Sequence, residues 1–361
     1  MSYLEPMVQI PFLQPLINFL LKVPVIGPIV NFLLWTPIFA VWFVPGLVGL
    51  FIPLIFVIWW ERKAAARVQW RYGPLEISKR IGGVIQPISD LIRYTLQEII
   101  IHQEADEAYF LHMPVFGFVF ALLPVLFLPA GPHVYAINTG YNILIAAVLI
   151  SIFNVVIIVS GWASTDKWAY IGTVREAFMY AAYEIPFMLS IIAMIILFGT
   201  ADPFTMVNAQ VAHYIPGAIL NPIAFIVAFI TTAMASSRFP FDIVENDTDI
   251  VVGPFTEYGG LIFGLTMTMS YEKTYVMTLL LSIVFLGGWS GPYIAPLGDL
   301  SAPLWLGVRV FLVMMFFSFL RAVYPNYRLD HALRMGWRTL LILSVVSVIW
   351  SIVIRLVFPV I

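Results

Sequence analysis

Cysteine is absent from all 361 residues, which excludes disulfides, thiolate-bound metals and cysteine-ligated iron–sulfur clusters. Any electron-transfer centre that the chain serves is therefore expected in a partner. Charge is nearly as scarce, at 11% of residues with a formal net of −2. That leaves neither the basic balance that nucleic acid demands nor an acidic tail. The five histidines (His102, His112, His133, His213 and His331) are scattered and show no metal-ligand spacing. Internal repeats and low-complexity linkers are also missing, so a single integral domain is expected. The inverted halves usual in a secondary transporter are not visible.

What the chain has in abundance is apolar length. Hydrophobic residues make up 61% and mean hydropathy is +0.95, a composition suited to lipid rather than water. Aromatics reach 16%, eleven of them Trp, which fits interfacial belts. Crossing a hydrocarbon core of ~30 Å takes about 20 apolar residues in a helix. Eight segments reach that length: 36–60, 109–130, 140–162, 176–199, 217–236, 258–287, 303–323 and 338–358. The reading is an all-α integral membrane protein of about eight transmembrane helices, occupying 36–361. In the sixth segment Ser270-Tyr271-Glu272-Lys273 interrupts the apolar run and predicts a kink or strong tilt. Residues 1–35 form a separate apolar stretch. Lys22 and the prolines Pro6, Pro11, Pro15, Pro24 and Pro28 argue against a straight span there, and an interfacial helix is expected. No small-residue cleavage site follows, so this start is not expected to be a signal peptide.

The few charges are not spread evenly. Residues 61–107 hold fourteen of the thirty-eight, and most of the rest fall in 164–176, 238–257 and 321–338. The alternate loops, 131–139, 200–216 and 288–302, contain no Lys or Arg. By the positive-inside rule, loops 61–107, 163–175, 237–257 and 324–337 are cytoplasmic and both termini lie outside.

Three stretches carry candidate chemistry. In the first cytoplasmic loop, Ile88, Leu91, Ile92, Leu96 and Ile99 follow helical spacing, with Asp90, Arg93 and Glu98 elsewhere around the helix. That predicts an amphipathic helix over 88–101, lying along the membrane surface. In the third loop, Asp242, Glu245, Asp247, Asp249 and Glu257 set five carboxylates against Arg238. Crowded carboxylates raise one another's pKa, so such a cluster can hold and pass protons near neutral pH; a solvated acidic loop is the plainer alternative. In the fourth segment, Tyr183-Glu184-Ile185-Pro186 puts a carboxylate about two turns inside an apolar run, where ionisable groups cost about 2.5–3.5 kcal/mol. Pro186 frees the Ala182 carbonyl beside it. Arg309, the other intramembrane charge in this reading, is the candidate helix-interior partner of Glu184.

Together these segments resemble the membrane heel subunit of respiratory complex I, the family of mitochondrial NADH dehydrogenase subunit 1 and its bacterial counterparts. The likeness runs from about Trp59 to Leu356. It passes through Glu61-Arg62-Lys63, Gln69, Arg71, Gly73-Pro74, Gln86-Pro87, Asp90 and Glu98, then Gly161-Trp162-Ala163-Ser164, Lys167, Gly172, Arg175 and Tyr183-Glu184. It continues through Arg238, Pro240-Phe241-Asp242, Glu245, Thr256-Glu257-Tyr258, Gly287-Gly288-Trp289, Arg321, Pro325, Tyr327-Arg328, Asp330 and Gly336-Trp337. The resemblance implies eight transmembrane helices with the N-terminus outside, in the cell membrane. It implies the roof and mouth of a chamber where a lipid quinone meets a redox arm. No cofactor would be bound covalently here, and iron–sulfur clusters would reside only in partner subunits. Antiporter-like and small membrane subunits would be the other neighbours. By the same resemblance Glu98, Glu184, Asp242, Glu245, Asp247, Asp249 and Glu257 would line a proton or sodium path. Arg62, Arg71, Lys167, Arg175 and Arg238 would stand by the chamber and the redox arm.

The chain departs from that family's pattern in places. Asp247 and Asp249 stand where glutamates are usual, Arg309 where a lysine is usual, and Met179 where a glutamine is common. Ser270 replaces a glutamate, with Glu272 two residues on and so about 200° around the helix. Arg175-Glu176 and Gly253-Pro254 are more similar to membrane-bound hydrogenases and sulfane reductases, relatives without a quinone cycle. The expected function is thus the coupling subunit of a complex I-like oxidoreductase. The alternatives are the equivalent subunit of a ferredoxin-fed hydrogenase or sulfane reductase and, from another class, a stand-alone ion transporter.

Overall fold

The computed structural model describes residues 7–23, 26–238 and 240–357, with backbone alone for Ser78, Asp247 and Thr248. Among the described residues the chain is helical, and β-structure amounts to two isolated bridges. All eight apolar segments are helical, the first broken at 43–46 into a short helix, Thr36–Trp42, and α1 Leu47–Val68; the others are α2 Glu107–Leu122, α3 Asn142–Ala163, α4 Lys167–Phe198, α5 Pro222–Ala235, α6 Gly260–Phe285, α7 Ser301–Val323 and α8 Leu341–Val357. Six helical stretches are long and apolar enough to cross a membrane: Thr36–Val68, Glu107–Leu126, Asn142–Ala163, Lys167–Phe198, Gly298–Val323 and Leu329–Val357. The other two sit inside the bundle. α5 is short, and α6 carries Glu272 and Lys273. From Glu272 to Phe285 every α6 residue is buried, as expected of a central helix.

Local chemistry sets the helix ends. Asp166 caps α4 by accepting from the Trp168 and Ala169 amides at 2.7 and 3.1 Å, and Gly199 closes it in the left-handed conformation. Asn221 caps α5 through the Ala224 amide. Its amide nitrogen donates to the Ser347 carbonyl and to Ser351 Oγ of α8. Ser344, Ser347 and Ser351 repeat along one buried face of α8, where small residues let helices approach closely. The opposite face, with Ile342, Val346, Ile349 and Val353, is exposed and suits lipid.

Three local expectations change. The surface helix occupies Gln86–Leu96 and stops before Gln97, so Glu98 lies beyond it in irregular chain. The sixth span runs as one uninterrupted α-helix, because its charged residues face the protein interior. Within 1–35 the described residues form a turn at Pro11–Leu13 and two short helices, Gln14–Leu21 and Ile26–Leu34, with Pro15 and Pro28 in their first turns.

The four charged loops gather at one end of the bundle. Thr165 Oγ1 donates to the Glu104 carbonyl, the Tyr327 amide to Pro240, and Arg62 meets Asp90 at 2.5 Å. Gly260 starts α6 with φ +60 against the Glu98 carbonyl, where a Cβ would stand only 2.7 Å away. Gly161 of α3 and Gly172 of α4 lie against Pro254, which a Cβ at either would meet within 3 Å. These glycines let the acidic loop sink between the two helices.

Candidate functional site

At the charged end a cavity of about 470 Å³ opens between α1, α6, α7 and the acidic loop. Its polar wall includes Glu61, Arg62, Arg71, Arg238, Asp242, Glu245, Tyr271 and Arg321. Glu61 is the anchor. Its buried carboxylate accepts from Arg321 Nη1 at 2.5 Å, Arg238 Nη1 at 3.4 Å and the Tyr271 hydroxyl at 2.9 Å. The Arg238 guanidinium also lies over the Tyr271 ring, 3.8 Å from its centroid. Burial pulls that guanidinium down, but Tyr271 and Glu61 more than offset it and hold Arg238 above its usual range. Glu245 is half-buried on the same wall. Burial first, and the Asp242 carboxylate second, push it up to about 7 against the opposing pull of Arg238. The cavity thus offers fixed cationic donors beside a carboxyl group that exchanges its proton near neutrality.

A second polar cluster lies deeper, among α3, α4 and α6. Lys273 Nζ donates to Asn154 Oδ1 at 2.5 Å and to the Tyr183 hydroxyl at 3.3 Å, and stands 4.0 Å from Glu176 Oε1. Tyr183 donates to Asn154 Oδ1 at 2.8 Å. Ser151 Oγ donates to Glu184. Glu184 is therefore partly buried and faces α3 rather than open lipid. Glu272, next to Lys273, is fully buried with neither carboxylate oxygen hydrogen-bonded. An unsatisfied acid at this depth marks it as a functional candidate in its own right.

The structure brings together some, and not others, of the residues singled out from sequence. Arg62, Arg71, Arg238, Asp242 and Glu245 line one cavity. Arg175 approaches Asp249 at 3.5 Å and donates to the Ile243 carbonyl, pinning the acidic loop to α4. The Asp247 side chain lies outside the described residues. Glu98 and Glu257 are exposed at the charged end, and Lys167 is exposed there over the Trp168 ring. Arg309 does not partner Glu184. It donates to the Gly288 carbonyl and to the carbonyl and hydroxyl of Ser290, just past the far end of α6. The interior cation beside Glu184 is Lys273.

Glu61, Glu176, Tyr271 and Lys273 are noted in the sequence reading but not nominated as site residues, because apolarity alone sets its helix boundaries. The helix containing Glu61 runs on to Val68 rather than ending at 60, and α4 begins at Lys167 rather than at 176, so Glu61 lies in a helix and Glu176 well inside one. Lys273 reads from sequence as an interruption. Its position mid-way along an otherwise apolar run was the available signal, the same one that exposed Glu184.

The sequence profile of the NADH dehydrogenase family matches residues 41–352. A curated relative, the H subunit of the NADH-quinone oxidoreductase of Dehalococcoides mccartyi (strain CBDB1), is 33% identical over 301 residues, spanning 82% of this chain and 81% of the relative. The protein of the same name from Bordetella petrii is 29% identical over 329 residues, spanning 86% and 92%. Among solved structures, a chain of the membrane-bound sulfane sulfur reductase, an archaeal respiratory membrane complex, matches with a TM-score of 0.72 at 24% identity. That match covers 84% of this chain and 96% of the other, and it concerns the fold. The chain belongs to the NADH dehydrogenase family.

Proposed function

We propose that this NADH dehydrogenase family member, the membrane subunit of a complex I-like oxidoreductase, walls a lipid-quinone chamber and starts an ion path from it. The single observation that carries this reading is the polar cavity. Arg62, Arg71, Arg238 and Arg321 supply donors suited to a quinone carbonyl, and Glu245 exchanges a proton near neutrality. Deeper in the bundle, Glu176, Lys273 and Glu184 continue the polar groups towards mid-membrane. Electrons would arrive from iron–sulfur subunits docked on the charged, cytoplasmic end. Antiporter-like and small membrane subunits in the cell membrane would complete the assembly and carry protons or sodium ions across. The chain's own part is to hold the headgroup and respond electrostatically to its reduction, since a new negative charge in the cavity shifts its neighbours' protonation.

A second reading is favoured by Arg175-Glu176 and Gly253-Pro254: the same subunit in a ferredoxin-fed hydrogenase or sulfane reductase, with no quinone cycle. Purification in mild detergent separates the readings. Co-purifying iron–sulfur proteins with donor-driven quinone reduction support the first. The same proteins reducing protons or sulfane sulfur but not quinone support the second. The chain arriving alone or as a homo-oligomer would mean a stand-alone transporter and end both.

A further inference from the structure

Lys273 is 4% exposed and yet is hydrogen-bonded only to neutral groups, Asn154 and Tyr183. An ammonium has three N–H donors, and the third has a nearby claimant. Glu176 Oε1 lies 4.0 Å away and has no hydrogen bond of its own. Glu184 acts electrostatically on the same ammonium, and Glu245 at the cavity acts on it as well. Depth along the helices agrees. At 1.5 Å per residue, Glu176 and Glu184 lie about 14 and 26 Å from the charged-end start of α4, and Lys273 about 20 Å from that of α6. Counted along each helix, Lys273 falls between the two acids in depth, with Glu176 the one within 4.0 Å. The ammonium is hydrogen-bonded to neither, and flexible methylenes carry it.

We infer that Lys273 is a counter-ion shared by Glu176 and Glu184, and that its move from one to the other gates proton passage from the cavity wall into the membrane interior. The acid that Lys273 leaves takes up one proton, and the acid it joins releases one. Total charge in the cluster is unchanged, and nothing is oxidised or reduced. Asn154 and Tyr183 hold the ammonium between the two positions, so neither ion pair has to break in a single step. Tyr183 also links the two sites, since it precedes Glu184 on α4 and hydrogen-bonds to the same Asn154 oxygen as Lys273. The inference rests on the coupling role proposed above and assigns that role to particular atoms.

Two double-mutant cycles test it, pairing Lys273→Met with Glu176→Gln and with Glu184→Gln in the intact complex. The first readout is protons moved per electron in sealed vesicles. Lys273→Met is expected to lower it at least fivefold, and neither double variant should fall further than that single variant. The expected non-additivity in both cycles is the mark of one shared group. If the Glu184 and Lys273 effects multiply independently while Glu176→Gln with Lys273→Met recovers wild-type pumping, Lys273 is a fixed partner of Glu176 and the inference is overturned. The second readout is the pH dependence of the thermal midpoint of the detergent-solubilised complex, which needs no electron flow. Coupling of Lys273 to both acids supports sharing, and coupling to Glu176 alone contradicts it. A wild-type complex that moves no ions would end the coupling role, while the thermal cycles still decide whether Lys273 serves both acids. Lys273→Gln, which keeps polar donors, takes the place of Lys273→Met if the latter does not assemble.

Discussion

Glu61→Ala leaves the Arg238 and Arg321 guanidiniums converging on an empty place. The Glu61 side chain is 4% exposed and that of Arg238 14%, so both charges lie largely out of bulk water. Arg321 is 41% exposed and can turn partly outward. Removing one member of a buried ion pair costs about 3–5 kcal/mol, whereas an exposed pair contributes about 0–1 kcal/mol. The freedom of Arg321 places Glu61→Ala at the lower end, near 3 kcal/mol. At about 2 °C per kcal/mol for a large domain, the thermal midpoint should fall by about 6 °C. Glu76→Ala is the control. It breaks the Lys79–Glu76 pair, whose side chains are 68% and 81% exposed, and should move the midpoint by less than about 2 °C. The assay is heat-induced loss of this chain from the detergent-solubilised complex, followed with both variants in parallel. Adding Arg321→Met to Glu61→Ala removes one facing charge and should recover part of the loss. If Glu61→Ala is no more destabilising than Glu76→Ala, Glu61 is not the electrostatic anchor of the cavity.

Glu245 gives a pH signature. Its folded pKa, about 7, lies above the ordinary carboxylate value, so the neutral form stabilises the fold. That contribution is complete below about pH 4.5 and is lost as pH rises through 7. The thermal midpoint of the complex should therefore fall between pH 5 and 8, and Glu245→Gln should flatten that fall; an unchanged slope would assign the titration elsewhere. Gly172→Val would drive a side chain into Pro254, since even a Cβ there stands 2.7 Å from the proline ring. About 1–3 kcal/mol of overpacking should displace the acidic loop, seen as faster proteolysis between residues 242 and 257; an unaltered cleavage rate would show the fit to be looser. Cysteines introduced at the exposed positions Thr95 and Asn138 should label from opposite sides of the membrane in oriented vesicles. Labelling of both from one side would reject the orientation taken from the Lys and Arg distribution.

Much of the architecture was legible because the segments that need lipid and those that need water alternate so sharply. Each of the eight apolar runs is helical, six of them in stretches long and apolar enough to cross a membrane, and the four charged loops meet at one end. What apolarity could not place was the extent of each helix beyond its oily centre. α4 begins at Lys167 because Asp166 caps it there, so Glu176 lies well inside the helix and not at its first residue. The same shift carries Glu61 inside a membrane helix. The pairing of Glu184 with Arg309 failed for another reason. Charge type and depth can nominate partners, but only the packing of α3, α4 and α6 decides which side chains meet. Lys273 reached the interior site because its helix is central and buried all round. Arg309 instead serves the carbonyls freed by Gly287 and Gly288, both of which take positive φ where α6 ends.

The central claim is that polar groups inside the bundle carry ions in step with electron flow, and Glu184→Gln in the intact complex tests it most directly. The glutamine keeps the side-chain volume and can still accept from Ser151, so assembly and reduction of the partner iron–sulfur centres should be unaffected. Ion translocation per electron in sealed vesicles should drop at least fivefold. Full translocation in that variant would contradict the account and leave Glu184 with a packing role alone.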